Sequence, residues 1–261
     1  MTRLGTVFMP GWAPERIVEV AEAAERSGLD DLWFWEDCFN AAGPSSAAIA
    51  LASTQRITIG IGLMPAPLRQ VALTAMEICT LQRAFPGRFV PVVGHGVQRW
   101  MAQLGVKPRS ALTLLTEYAV ALRRLLAGEE VTVQGEYVTL DAVRLTWPPA
   151  EPHLLIGGEG PKTLALAASH GDGTMLTSAL SEQRIRESID SVRANTGTRP
   201  HEIVGHLTAA RGDDPVTVAA AVGRVAAMGM TTVLVHSTDD DSDPAGFVEW
   251  LGTEVQPRVA A

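Results

Sequence analysis

Two glycine-containing segments of the sequence have residue types and spacing that suit the binding of a flat or anionic group. Gly157-Gly158 opens a Gly-Gly-Glu-Gly-Pro turn, where glycines would let backbone N–H groups approach a phosphate or a ring carbonyl. Gly94-His95-Gly96 would let a planar ring lie against the backbone, and an imidazole ordinarily titrates near neutral pH. A turn without a ligand, or a histidine bonded to a neighbouring loop, explains the same residues equally well.

A third segment places two carboxylates beside aromatic residues. Glu36 and Asp37 follow Trp-Phe-Trp directly. Paired carboxylates can act as acid and base when their surroundings separate their pKa values. A loop turn or a helix cap explains either carboxylate taken alone.

Several other kinds of site are not indicated. The sequence has no Gly-x-x-x-x-Gly-Lys-Ser/Thr loop, no His-Glu-x-x-His motif and no Gly-x-Ser-x-Gly elbow. The remaining histidines are too dispersed to define a metal site, and we expect each to be hydrogen-bonded in a loop or in the core: His153, His170, His201, His206 and His236. The sequence therefore predicts no metal.

Strand-like apolar runs alternate with stretches of helical period along the chain, which predicts repeated βα units around a parallel sheet. Glycines recur after several predicted strands and not only after the first, which favours a closed barrel over a doubly wound open sheet. We therefore expect residues 1–261 to form a single (β/α)8 barrel domain. The predicted strands are Leu4–Phe8, Asp31–Phe34, Ile57–Gly62, Phe89–Val93, Leu154–Ile156, Thr174–Thr177, Ile203–Leu207 and Thr232–Val235.

A helix should follow each predicted strand, and one further element should lie outside the barrel. Residues Val131–Leu140 alternate with period two around Gln134-Gly135, which predicts a small hairpin insertion. The acidic run Asp239–Asp241 should be a solvated turn in the last loop. The predicted helices are Pro14–Ser27, Ser45–Thr54, Val71–Arg83, Ser110–Leu126, Pro161–Ser169, Glu182–Asn195, Pro215–Met228 and Pro244–Val255.

Composition excludes several partners. The formal charge of −8 comes without a Lys/Arg cluster, so no nucleic-acid surface is expected. No apolar run approaches the roughly 20 residues that cross a bilayer, and no signal peptide is recognisable, so we expect no membrane contact and a cytoplasmic location. Cys38 and Cys79 match no metal-ligand spacing and suit a reducing compartment without a disulfide.

Taken in order, the segments resemble the luciferase-like flavin and deazaflavin oxidoreductases, in particular the branch related to methylene-tetrahydromethanopterin reductase that uses coenzyme F420. The resemblance extends over most of the chain. It rests on Ser27–Asp30 before Leu32-Trp33, Glu36–Phe39, Arg56–Gly62, Pro86–Phe89 leading into Gly94–Gly96, Gly128–Val131 with Gly135–Tyr137, Gly157–Lys162, and Gly171–Gly173.

This resemblance implies a barrel that binds F420 or, alternatively, FMN. It implies a non-proline cis peptide around Gly62-Leu63-Met64 that supports the cofactor ring, glycines near the ring or its phosphate tail, and two hydroxyl contacts to the tail. It also implies a homodimer formed through the helices after the second and third strands. The implied cofactor-binding residues are Gly62, Leu63, Met64, Gly94, His95, Gly96, Gly157, Gly158, Thr177 and Ser178.

The sequence also departs from that family. Many relatives have Asp-His after the second strand, where this chain has Glu36-Asp37-Cys38, and some F420-dependent relatives have a glutamate where this chain has Val97. The remaining acid–base candidates are Asp37, Glu36 and His95. A sugar-phosphate dehydrogenase is therefore not expected.

The chain is also shorter than many members of that family, and Ala209–Asp214 is where we expect sequence to be missing. Three hypotheses follow for its function. The first is hydride transfer between F420 and an unidentified organic substrate. The others are an FMN-dependent monooxygenase and a non-catalytic flavin-binding protein.

Overall fold

The computed structural model describes residues 2–238 and 243–259, so Asp239–Asp241 lie outside the described residues. Eight parallel strands form a closed barrel, in which β10 pairs with β1, and a separate antiparallel hairpin lies outside it. The predicted barrel with a hairpin insertion is confirmed. The barrel strands are β1 (Arg3–Phe8), β2 (Asp31–Phe34), β3 (Thr58–Pro65), β4 (Phe89–Gly94), β7 (Leu155–Gly157), β8 (Gly173–Met175), β9 (Glu202–Ala209) and β10 (Thr232–Ser237), and the hairpin strands are β5 (Val131–Gln134) and β6 (Thr139–Val143).

Helices cover the outside of the barrel, and local sequence explains many of their ends. Ser110 caps one helix by accepting from the Thr113 N–H, and Gly28 ends another in the left-handed region at φ 90°. None of the described helices is both long and apolar enough to cross a bilayer. The helices are α1 (Ile17–Ser27), α2 (Gly43–Ser53), α3 (Val71–Ala84), α4 (Gln98–Gln103), α5 (Ala111–Leu126), α6 (Pro161–His170), α7 (Glu182–Thr196), α8 (Pro215–Met228), α9 (Pro244–Trp250) and α10 (Gln256–Val259), with 3-10 turns at Pro14–Arg16 and Ala66–Leu68 and a π turn at Leu251–Val255.

Several sequence-based boundaries need correction, and β9 and β10 are also longer than predicted. Strand β3 continues to Pro65, past the predicted end at Gly62, and β8 ends at Met175, so Thr177 lies in a loop. The final predicted helix divides at the π turn, and helix α4 was not predicted. Helix α4 has six residues with a single buried side chain, Met101, so its sequence carries too little periodicity to detect.

The barrel interior is filled by one apolar layer. Trp33 is the largest member, and a Cβ on Gly60 would lie 2.2 Å from its indole, so the glycine makes room for the ring. Side chains alternate along a strand, so residues two positions further on also point inward, at the carboxyl-end mouth. The interior layer consists of Val7, Trp33, Val92, Leu155, Met175, Val204 and Leu234, and the mouth positions that follow are Met9, Trp35, Gly94, Gly157, Thr177, His206 and His236.

Candidate active site

A cavity of about 340 Å³ opens at the carboxyl ends of the barrel strands. Enzymes with this architecture assemble their sites at this end from the loops that follow the strands. The cavity combines glycine backbone, apolar side chains and few polar groups. Its lining residues are Trp35, Glu36, Asp37, Gly62, Leu63, Pro65, His95, Gly96, Val97, Trp100, Gly157, Gly158, Thr177 and Ser178.

Backbone rather than side chains forms much of the cavity wall. Gly96 has φ +67°, and a Cβ there would lie 2.8 Å from the Cβ of Pro65. A Cβ on Gly157 would lie 2.6 Å from the Cδ2 of Leu63. The Gly62–Leu63 peptide bond is cis, which confirms the prediction of a non-proline cis bond on this strand. Gly62, Gly96 and Gly157 therefore bring backbone close to the cavity, and we call the space beside them the slot.

Two residues of the expected ring site lie outside this slot. Met64 is buried in the core cluster outside the barrel lumen, because the pairing of β3 with β4 shifts register between Ile61 and Met64. Gly94 is buried under Leu63, where a Cβ would lie 2.4 Å from Cδ2. Leu63 and Gly62 line the cavity themselves, so the slot begins one residue before Met64.

Glu36 is engaged in a buried ion pair. Arg69 donates to both of its carboxylate oxygens, at 2.6 and 2.7 Å, and the Gly43 N–H donates to the same group at 3.3 Å. Both side chains are buried or nearly so. Because the Glu36 carboxylate is engaged by these hydrogen bonds, it orders the loop after β2. Arg69 was not found from the sequence.

Asp37 is the carboxylate of this pair that remains open to the cavity. Among the described residues, none donates a hydrogen bond to its side chain. Burial raises the pKa of the Asp37 carboxyl above its usual range. Partial desolvation without a cationic partner favours the protonated form, which is the property of a group that gives or takes a proton at mild pH.

His95 lies in the loop after β4 and lines the same cavity. Its Nδ1 lies 3.0 Å from the carbonyl oxygen of Gly96. The side-chain amide of Gln98 donates to the backbone carbonyl of His95 at 3.0 Å. A ring that donates through Nδ1 keeps Nε2 as an acceptor while neutral. The sequence-based placement of His95 and Asp37 at one mouth is therefore reproduced by the geometry.

The two hydroxyl residues after β8 contact a carboxylate. Thr177 Oγ1 donates to Glu159 Oε1 at 2.9 Å, and Ser178 Oγ donates to the same oxygen. Glu159 belongs to the loop after β7. An anionic cofactor tail at these hydroxyls would meet the Glu159 carboxylate, so this contact opposes a phosphate unless the side chain rotates away.

An aromatic cluster lies at the mouth, and one of its members, Trp35, also lines the cavity. The Trp35 ring centroid is 5.5 Å from that of His206 and 5.0 Å from that of His236, and the two imidazoles are 5.8 Å apart. Neither ring nitrogen of His206, nor Nδ1 of His236, has a hydrogen-bond partner among the described residues. The expectation that each dispersed histidine is hydrogen-bonded is therefore wrong for His206, whereas His236 bonds to the backbone of Ser237. We call Trp35, His206 and His236 the histidine–tryptophan cluster.

No group of three or more His, Cys, Asp or Glu side chains in the described ranges is arranged to hold a metal. Cys38 and Cys79 are free thiols. The polar groups open to the cavity are therefore chiefly Asp37, His95, Thr177 and Ser178.

The family model for luciferase-like monooxygenases matches residues 3–245. The chain belongs to the luciferase-like monooxygenase family. Two curated relatives are oxidoreductases. A 5,10-methylenetetrahydromethanopterin reductase of Methanolobus tindarius is 28% identical over 67% of this chain and 54% of the relative. An F420-dependent glucose-6-phosphate dehydrogenase of Nakamurella multipartita is 29% identical over 64% of this chain and 53% of the relative.

The chain thus spans about half the length of the curated relatives that it matches. Among solved structures, the coenzyme F420 dependent tetrahydromethanopterin reductase of Methanopyrus kandleri superposes with a TM-score of 0.85 over 99% of both chains, at 16% identity. This likeness establishes the shared barrel fold.

Proposed function

We propose that the protein is an oxidoreductase that binds coenzyme F420 in the 340 Å³ cavity and transfers hydride between it and an organic substrate. The observation that carries this proposal is a slot walled by glycine backbone at the barrel mouth, with Asp37 and His95 opening onto it. The F420-dependent relatives support the choice of coenzyme.

The described residues fit a flat tricyclic ring. Gly62, Gly96 and Gly157 bring backbone to the slot, and Leu63 and Trp100 supply apolar surface. Helix α6 begins after Gly160 without a side-chain cap, so its first-turn N–H groups can attract an anionic tail. When bound, a deazaflavin supplies two-electron hydride chemistry at its ring.

The chain's own residues would then orient the reactants and hold a proton. Asp37 is the group most able to hold that proton, because burial already favours its neutral form. His95 lines the cavity beside it, with Nδ1 against the carbonyl oxygen of Gly96. Glu36 keeps the preceding loop in place through Arg69. We do not include Met64 among the residues that contact the cofactor, because its side chain is buried in the core outside the barrel lumen.

The second candidate is an FMN-dependent monooxygenase. Membership of the luciferase-like monooxygenase family favours it, and the same slot accepts an isoalloxazine ring. The Glu159 carboxylate would repel the anionic tail of either cofactor, because both tails would pass the hydroxyls of Thr177 and Ser178. It therefore does not favour one candidate over the other.

Titration of the purified protein with F420 and with FMN separates these candidates. Fluorescence and calorimetry should show micromolar or tighter binding of F420 and weaker binding of FMN. Tight FMN binding without F420 binding would replace the proposal with the monooxygenase. Binding of neither cofactor would leave a non-catalytic member of the family.

A matched pair of glycine variants tests the slot itself. Gly157→Ala would place a Cβ against Leu63 and push that flexible side chain into the slot, so F420 affinity should fall at least tenfold. Gly160→Ala, in the same loop with nothing within 4 Å of the added Cβ, should bind normally. Gly158→Val is a poorer test, because its Cβ would lie 2.5 Å from Thr163 Cγ2 and disturb the start of α6.

We also propose that the protein is a homodimer that uses helices α2 and α3. Ile49, Leu73 and Met76 are large apolar side chains exposed on these helices, and Met76 is 58% exposed. Sedimentation velocity should show a dimer that Met76→Glu dissociates. Val216→Glu, an equally exposed site on α8, is the control and should leave the dimer intact.

A further inference from the structure

The histidine–tryptophan cluster lies at the barrel mouth, one layer above the apolar interior. His206 and His236 follow the inward-pointing Val204 and Leu234 by two residues on neighbouring strands β9 and β10. Trp35 follows the inward-pointing Trp33 by two residues and lies directly after the end of β2. The three rings are within 6 Å of one another between centroids and meet edge to face. Residues from the carboxyl ends of three strands thus bring their aromatic rings into contact at the barrel mouth.

The hydrogen bonds of this cluster are incomplete. His206 is 2% exposed, and neither of its ring nitrogens has a partner among the described residues. A neutral imidazole presents one N–H donor and one nitrogen acceptor, and each buried polar group without a partner is unfavourable. His236 has a bond to the backbone of Ser237, yet its Nδ1 is unpartnered within the described ranges.

Both imidazoles are held in the neutral form. Burial lowers the pKa of His206 to about 3, with a further contribution from His236. Burial also lowers the pKa of His236. No Arg or Lys ring contact or ion pair joins the cluster within the described residues. An anionic ligand group would therefore meet no positive charge here, whereas a hydroxyl or carbonyl oxygen would meet neutral donors and acceptors.

The cluster lies next to the proposed cofactor slot. Trp35 belongs to both, because it lines the cavity and packs against the two imidazoles. Gly157, Gly158 and Leu63 line the same cavity. His236 is partly exposed, whereas His206 and the unpartnered ring nitrogens are buried, so a ligand would approach the cluster from the side of His236. A molecule that extends past the indole of Trp35 would bring its polar end to the histidines.

We propose that His206 and His236 form the polar end of the substrate site and orient an uncharged hydroxyl or carbonyl group of the substrate beside Trp35. This rests on the proposed function for the position of the coenzyme, but the cluster can bind such a group without it. The two histidines are positioning residues for the substrate. A carboxylate or phosphate should bind more weakly at the same place, because neutral rings offer an anion no compensating positive charge.

Three probes of matched shape test this proposal: cyclohexanol, cyclohexanecarboxylate and methylcyclohexane. Each is titrated into the full-length protein, with and without F420, while ¹H–¹⁵N spectra of the imidazole rings and Trp35 fluorescence are followed. Cyclohexanol should shift the His206 and His236 signals in a saturable way. The carboxylate and the hydrocarbon should bind at least tenfold more weakly.

Variants separate the polar atoms from the ring shape. His206→Phe and His236→Phe keep an aromatic ring without nitrogen, so each should lose cyclohexanol binding at least tenfold while F420 affinity stays within twofold. Each should also unfold at a higher urea concentration, because an unpartnered polar group has been removed. His170→Phe, at the end of α6 and outside the cluster, is the control and should leave probe binding unchanged.

The outcomes are distinct. Equal binding of cyclohexanol and methylcyclohexane, or undiminished cyclohexanol binding by both variants, would overturn the substrate-site proposal even if F420 binds tightly. Saturable cyclohexanol binding that the variants abolish would support it even if F420 does not bind, in which case the proposed function alone would fail.

Discussion

The two ends of the barrel contain similar polar side chains but satisfy them differently. At the amino end, a cavity of about 660 Å³ is larger than the one at the mouth, yet Arg3 there donates to both oxygens of Asp31 and to Thr58. Among the described residues, that end also has unpartnered atoms, for example Trp33 Nε1 and Gln82 Oε1. At the carboxyl end, Asp37 and His206 are desolvated without such pairing.

This difference indicates that the polar groups of the amino end stabilise the fold, whereas those of the carboxyl end are available to bind a ligand. Ionised groups that neutralise one another stabilise the fold and leave little for a ligand to bind, although the cavity around them is large. Desolvated groups without partners cost stability and remain open to a ligand. The comparison therefore predicts opposite effects when side chains are removed from the two ends.

The largest effect is expected at the amino end. Arg3→Met would leave the nearly fully buried Asp31 carboxylate without its partner, so the free energy of unfolding at pH 7 should fall by about 3 kcal/mol. Burial, opposed by Arg3, already raises the pKa of Asp31 to about 6, so the loss should be smaller at pH 5, where the carboxyl is protonated.

Urea denaturation at both pH values measures this, with F420 binding as a second readout that should not change. Arg184→Met removes an exposed ion pair with Glu187 and should alter stability by no more than about 0.5 kcal/mol. An equal loss of unfolding free energy in both variants would contradict the prediction that the buried Arg3–Asp31 pair stabilises the protein more than an exposed ion pair does.

The next effect concerns the pH dependence set at the carboxyl end. The pKa of His206 is lowered to about 3 in the folded protein, so between that value and about 6.5 the unfolded chain binds more protons. The contribution of His206 to stability is therefore complete above pH 6.5 and is lost as the pH falls. Between pH 7 and pH 5 the loss should be about 2 kcal/mol.

Comparing the wild type with His206→Phe over this pH range isolates that contribution. The variant should lose most of the decline in stability on acidification. A decline of the same slope in both proteins would show that His206 is not the desolvated group responsible.

A smaller effect of opposite sign is expected for Asp37→Asn. The raised pKa of Asp37 means that its charged form is disfavoured in the folded protein, so removing the charge should stabilise the protein at pH 7 and have less effect at pH 4. Thermal unfolding at the two pH values measures the change. Destabilisation at pH 7 would show that the Asp37 carboxylate stabilises the fold, as the paired groups of the amino end do.

The smallest effect is expected for Glu159→Gln. Loss of the carboxylate that accepts from Thr177 and Ser178 should tighten F420 binding by roughly threefold at low salt, because an anionic tail no longer faces a like charge. The gain should shrink as ionic strength rises. Weaker binding at every salt concentration would instead indicate that Glu159 orders the two hydroxyl residues for the tail.

Much of the fold was accessible from the sequence, because strand and helix periods are local. The bounds of α8, Pro215–Met228, and of β2, Asp31–Phe34, agree with the prediction residue for residue. The irregular parts of the fold could not be predicted from the sequence. The register shift after Ile61 moved Met64 out of the expected site, since periodicity alone does not reveal a bulge.

The site was only partly accessible. Asp37 and His95 follow strands, so the barrel architecture brings them to one end. The partner of Glu36 could not be identified, because Arg69 lies 33 residues away in the sequence. Alternation could have indicated the histidines, as His206 and His236 each fall two residues after an inward apolar residue, but sequence separation made them look unrelated.

The alternation of β9 also constrains how this protein can change. Val204 fills the interior, and His206 reaches the mouth from the same strand. Deleting one residue before them would turn Gly205 and Leu207 inward, emptying the core position and replacing the imidazole at once. New substrate preferences can therefore arise here by exchanging side chains, while a change in strand length would sacrifice the scaffold together with the specificity.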